Sequence, residues 1–147
     1  MLAAIVLVEA RLGCQVNVDF EEGLLLGRRQ VMPYDTSVLD KAIAERRARW
    51  ERERQIALTR VLQLLDEYGP GFDLPEAYVF GSVTGCGRFD ALSDIDIAVG
   101  RMAVASFFQM MTTFSLELDR DVDLVELDKC HFAHRIREKG VRWTRQD

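Results

Sequence analysis

The chain has 147 residues, the length of a single domain with room for a proper core. Its net charge of −5 argues against nucleic acid as a bulk electrostatic partner, but not against a nucleotide bound through a metal. The cysteines (Cys14, Cys86 and Cys130) are odd in number and widely spaced, with no CxxC pair, which disfavours a zinc site or disulfide framework and favours reduced thiols in a cytoplasm.

Met1 to Val8 is apolar, but Glu9 and Arg11 end the run far short of the roughly 20 residues a membrane helix needs. It also lacks a basic leader and a cleavage-type ending, so neither a signal peptide nor a membrane segment is expected. Residues 1–34 read as an N-terminal extension of irregular or β-like structure, with Val16 to Phe20 alternating and Gly23 and Gly27 interrupting. Pro33 precedes a helix start, and Ser37 with Asp40 resembles a capping box. A helix is expected over 37–68, with Leu39, Ile43, Trp50, Ala57, Val61, Leu64 and Tyr68 on its inner face. Residues 45–54 are almost all charged. They read either as a solvated face with i,i+4 pairs such as Glu45 with Arg49, or as an arm that docks a partner around Trp50.

Gly69-Pro70-Gly71 ends the helix. Ala77 to Phe80 reads as a strand, and Asp96 to Val99 as a second, stopped by Gly100. Residues 103–119 read as a helix burying Val104, Phe107, Phe108, Met111, Phe114 and Leu118. Val122 to Leu127 is a third strand. A last helix over about 129–139 turns Phe132 and Ile136 inward, and Val141 to Trp143 adds a short closing strand. The order implies an α+β domain over 35–147, a mixed β-sheet with helices packed on it, preceded by the long charged helix. His131 and His134 lack further ligands at metal spacing, and nothing near Cys86 marks it as reactive.

Between the first two strands lies the stretch with chemistry in it. Phe80-Gly81-Ser82 ends one strand, and Ser93-Asp94-Ile95-Asp96-Ile97 opens the next. Alternation turns Asp94 and Asp96 to one face, where two like charges repel unless a cation lies between them. The Gly-Ser turn offers backbone N–H groups and a hydroxyl to a phosphate. Capping could explain Asp94, but not Asp96 inside a strand, nor Asp123 between Val122 and Leu124. Asp121 competes with Asp123, two residues away on the same face.

This pattern resembles the nucleotidyltransferase superfamily of DNA polymerase beta in its minimal (MNT) form, where a Gly-Ser turn leads to an Asp-x-Asp pair and a third Asp lies on a later strand. The resemblance covers roughly the C-terminal two thirds of the chain, beginning after Met32. It leaves residues 1–31 open between an added strand and a stretch ahead of an alternative start. Eleven residues separate Ser82 from Asp94, one more than is commonest in the family, an excess the glycines of the loop absorb. The resemblance implies a polymerase-beta-like fold in which Asp94, Asp96 and Asp123 hold two magnesium ions and do the catalytic work. Gly81 and Ser82 would cradle the phosphates of ATP, with Arg88 as a candidate to neutralise them.

The activity so implied is magnesium-dependent transfer of AMP from ATP to a hydroxyl. Small stand-alone proteins of this kind are paired with a HEPN-domain toxin, modify a toxin tyrosine and thereby act as antitoxins. A cytoplasmic protein is implied, in a homo- or hetero-oligomer, with no direct nucleic-acid partner. Two alternatives stay open: a non-catalytic antitoxin that occludes its partner, and an enzyme acting on a small hydroxyl compound such as an aminoglycoside.

Overall fold

The computed structural model describes residues 35–145. The expected extension over residues 1–34, with Cys14, lies outside the described residues. The described residues fall into two units, 35–47 and 48–145.

Helix α1 spans Ser37–Tyr68. Its start differs from the expected Ser37–Asp40 box. The Ser37 N–H donates to Asp35 Oδ1, so a capping acceptor comes two residues earlier, and Asp40 instead accepts from the Thr36 hydroxyl. Asp and Ser are both short polar side chains able to accept from a first-turn N–H, which is why residue type alone does not choose between them. Farther along, α1 buries Arg54, Leu58, Val61, Leu64 and Leu65. Leu39, expected on the inner face, is exposed. The helix stops where Gly69–Phe72 tightens into a single 3-10 turn. An added Cβ on Gly69 would meet the Trp143 ring at 2.6 Å.

Four strands follow: β1 (Glu76–Phe80), β2 (Ile95–Val99), β3 (Val122–Glu126) and β4 (Val141–Thr144). They form one sheet in the order β3-β2-β1-β4. β1 pairs antiparallel with β2 and β4, and β2 pairs parallel with β3, so the sheet is mixed and the fold is α+β as expected. The parallel pair needs a crossover, supplied by α2 (Val104–Leu118). Helix α3 (Ala133–Lys139) follows β3 through a short 3-10 turn at Leu127–Lys129, so the last helix is shorter than expected.

Strand alternation splits the buried residues into two sets. Ala77, Val79, Ile95, Ile97 and Val99 lie on one face and are fully buried. On this side Tyr68 of α1 meets Phe114 of α2 edge to face at 6.3 Å. The other face carries Tyr78 and Ala98, which cluster with Leu127, Ala133 and Ile136, and Phe80, Val125, Cys130 and Phe132 pack against them. That second face is also the one toward which Asp96 and Asp123 project.

One expectation about side chains is corrected. On α2, Met110 and Phe114 are buried, while Val104 is 70% and Phe108 56% exposed. The inner stripe runs through 107, 110, 111, 114 and 118, a run that leaves Phe108 a quarter turn off and Val104 at the open first turn. Among the described residues Cys130 is a free thiol.

Candidate active site

The site lies where β1 ends and β2 begins. Phe80 pairs across the sheet with Asp96, so the turn that follows Phe80 is delivered beside the Asp96 carboxylate. On the other side of β2, Asp96 pairs in parallel register with Asp123. Asp94 stands one residue before β2. Its backbone is fixed on its C-terminal side, where the Ile95 N–H donates to the Asp121 carbonyl at 2.9 Å.

The three expected carboxylates come together. One oxygen from each of Asp94, Asp96 and Asp123 lies within 4.8 Å of the others, with Asp96 half-buried and the other two exposed. Asp121, the competing residue, sits before β3 and is not in this group. Burial raises the Asp96 carboxyl from its ordinary 3.8 to about 6, and the charges of Asp94 and Asp123 push in the same direction. No cation among the described residues opposes that shift. Arg88 is exposed on the loop and lies against Gly85, with no part in the balance at Asp96.

Gly81 opens a single 3-10 turn over Gly81–Thr84. Its φ is +76°, and an added Cβ would lie 1.9 Å from Asp96 Oδ2. Glycine is therefore required twice, by the left-handed backbone and by the room the carboxylate occupies. The turn is closed by the Thr84 hydroxyl donating to the Gly81 carbonyl at 2.9 Å and the Gly85 N–H donating to the Ser82 carbonyl at 3.1 Å. The Ser82 hydroxyl oxygen is buried and has no hydrogen-bond partner among the described residues.

The donor set fits a hard divalent cation: three carboxylates, no thiolate and no imidazole, on neighbouring strands. The orphaned serine hydroxyl beside them fits an oxyanion acceptor. A buried hydroxyl left unbonded costs about 1–3 kcal/mol, a cost a phosphate oxygen would remove.

The residue that sequence reasoning missed is Arg54. It is 1% exposed inside a run read as solvated or partner-docking. Its Nη1 donates to the Val83 carbonyl at 2.8 Å, and its Nε and Nη2 donate to the Glu51 carboxylate. That pairing also holds the Glu51 carboxyl below its usual range. The signal was present in the helical spacing of Trp50, Arg54, Leu58, Val61 and Leu65, which places Arg54 on the apolar stripe.

Two outcomes follow from this geometry. A carboxyl whose folded value is raised stabilises the fold fully below its unfolded value, and that contribution is lost as pH rises through the folded value. Metal-free protein will therefore lose stability between 3.8 and about 6, and Asp96→Asn will flatten that slope. At about pH 8 without metal the variant will be more stable by on the order of 1 kcal/mol, after allowance for solvent screening, read by denaturant titration across pH. Ser82→Ala will leave the stability unchanged or raise it by up to about 1 kcal/mol, because it removes an unbonded buried hydroxyl, as denaturant titration of the variant beside the wild-type protein will show.

Comparison with known proteins gives similarities at the level of solved structures. A crystal structure of the toxin–antitoxin MntA–HepT is 26% identical, the match covering 61% of this chain and 72% of that one, at a TM-score of 0.44. A crystal structure of a toxin–antitoxin with AMP-PNP is 29% identical over 60% of this chain and 73% of that one, at a TM-score of 0.47. A crystal structure from Shewanella oneidensis is 23% identical over 59% and 72%, at a TM-score of 0.42. No protein-family model and no curated protein matches the chain.

Proposed function

We propose that this chain is a magnesium-dependent nucleotidyltransferase that transfers AMP from ATP to a tyrosine hydroxyl of a HEPN-domain toxin and so acts as its antitoxin. The observation that carries the reading is the meeting of Asp94, Asp96 and Asp123 within 4.8 Å, beside a Gly-Ser turn whose serine hydroxyl is buried and unbonded. A structural role accounts for neither feature, since a carboxylate cluster and an orphaned hydroxyl both cost stability. The choice of acceptor rests on the motif resemblance: Gly81-Ser82, Asp94-x-Asp96 and Asp123 in order, within a small domain.

The three aspartates would hold the metal. When bound, two magnesium ions neutralise the triphosphate and the charge that develops on the attacking and leaving oxygens. The protein's own residues account for placement. The Ser82 hydroxyl donates to a phosphate oxygen, and Gly81 keeps the turn clear of the Asp96 carboxylate. Asp96, the most enclosed of the three, is fixed between β1 and β3, while Asp94 and Asp123 are exposed, and Asp123 would complete the metal nearer the acceptor. The tyrosine oxygen forms its bond to the α-phosphorus as the bond to the bridging oxygen breaks. Pyrophosphate leaves with that electron pair, and the phenolic proton passes to solvent. Arg88, exposed on the same loop, is the candidate to neutralise the triphosphate once it is bound. Catalysis of this kind is positioning and charge compensation, so no conspicuous base is required.

The experiment is label transfer from ATP tagged on its α-phosphate, with magnesium, to a co-expressed HEPN partner. Label will appear on the partner, and Asp94→Asn/Asp96→Asn will reduce it by at least about 10²–10³-fold while leaving the complex intact. A partner that is neutralised equally by both proteins and never labelled would replace this reading with occlusion without turnover.

A further inference from the structure

The motif loop from Gly81 to Asp94 carries the phosphate-facing turn at one end and the first metal-facing carboxylate at the other. Each end is held by an arginine that comes from elsewhere in the chain. At the first end, Arg54 of α1 donates from Nη1 to the Val83 carbonyl at 2.8 Å, in the middle of the Gly81–Thr84 turn. Its Nε and Nη2 donate to the Glu51 carboxylate at 2.6–3.1 Å, which locks the plane of the guanidinium. At the other end, Arg120 follows α2. Its Nη1 donates to the carbonyls of Asp90, Ala91 and Ser93 at 3.1, 3.3 and 2.9 Å. Its guanidinium lies 4.6 Å from the centre of the buried Phe89 ring. Asp94 is thus bracketed, with the Ser93 carbonyl held by Arg120 and the Ile95 N–H held by the Asp121 carbonyl.

Stability alone does not call for such groups. A buried ion pair is often no better than apolar residues of the same volume, so α1 could pack at least as well without Arg54–Glu51. What a guanidinium adds is a rigid fork of donors that fixes carbonyls in space. Each arginine turns its Nη1 to loop carbonyls, Arg54 being oriented for this by Glu51 on its Nε and Nη2, and neither is paired with Asp94, Asp96 or Asp123.

We infer that Arg54 and Arg120 are positioning residues that hold the two ends of the motif loop separately: Arg54 sets the Gly81–Thr84 turn for the phosphates, and Arg120 sets Asp94 for the metal. This rests on the nucleotidyltransferase reading. It goes beyond it by assigning separate anchors to the two halves of the site. It also explains how the loop tolerates an extra residue between Ser82 and Asp94, since only its ends need fixed positions.

The test uses Arg54→Lys and Arg120→Lys in the full chain, which keep the charge and remove the fork. Three quantities are measured: affinity for Mn²⁺ alone, affinity for ATP with Mn²⁺ present, and amide hydrogen exchange along the loop. Arg54→Lys will lower ATP affinity by about tenfold, leave Mn²⁺ affinity within about twofold, and speed exchange from Ser82 to Gly85. Arg120→Lys will lower Mn²⁺ affinity and speed exchange from Leu92 to Ile95, with Ser82 to Gly85 unchanged. If Arg54→Lys does not fold, Glu51→Gln, which unlocks the guanidinium while leaving it in place, will give the first pattern at smaller size. Equal losses of both affinities in both variants, tracking the fall in melting temperature, would overturn the inference and leave the arginines as scaffold. So would unchanged affinities alongside altered exchange. Failure of the wild-type protein to bind either ligand would instead remove the nucleotidyltransferase reading, and this inference with it.

Discussion

Asp96 and Asp123 face each other across a parallel strand pair, with Asp94 one residue before the same strand. Carboxylates held this close by backbone register cannot relax apart, because moving either would break the ladder that buries Ile95, Ile97 and Leu124 on the opposite face. The repulsion is therefore built into the sheet. It raises the Asp96 carboxyl to about 6 together with burial, and it is relieved by protonation or by a cation. Hydrophobic burial on one face of β2 and β3 thus supplies the force that keeps like charges together on the other.

The elements around the sheet serve this arrangement. β1 ends opposite Asp96, so the chain must turn there without placing a side chain into the carboxylate. Only a glycine in the left-handed region meets both conditions. The turn so formed buries the Ser82 hydroxyl with no partner, and α1 reaches it through a buried arginine. Below, Tyr78, Ala98 and Ile136 pack the same face of the sheet, with Phe132 meeting Phe80 edge to face at 6.4 Å. The residue before Gly81 is therefore fixed by α3, and the turn itself by α1.

Much of this was legible because it depends on local periodicity. Alternation put Asp94 and Asp96 on one face. The apolar runs around Val79, Ile97 and Leu124 marked the strands, and Gly69-Pro70-Gly71 marked the end of α1. What was illegible depends on contacts made through space. A deeper place in the apolar run and the motif favour Asp123 over Asp121, but its exact partner, Asp96, is a matter of register that the assembled sheet displays. Arg54 was hidden by its charged neighbours, although its spacing from Trp50 and Leu58 places it on the inner stripe. Phe108 and Val104 looked buried because an apolar residue declares its preference but not its neighbours, and α2 has more apolar positions than the sheet can cover. The capping acceptor at the start of α1 is Asp35 rather than Ser37 because several adjacent polar residues could fill the role equally.

The central claim is that the three aspartates form a metal-binding centre next to a phosphate-binding turn. The most direct measurement is anomalous diffraction from crystals of the protein grown with Mn²⁺ and a non-hydrolysable ATP analogue. The account predicts manganese density between Asp94, Asp96 and Asp123, with a phosphate oxygen within hydrogen-bond distance of the Ser82 hydroxyl. Manganese bound elsewhere, or a nucleotide seated away from the Gly81–Thr84 turn with the aspartates left without metal, would contradict it.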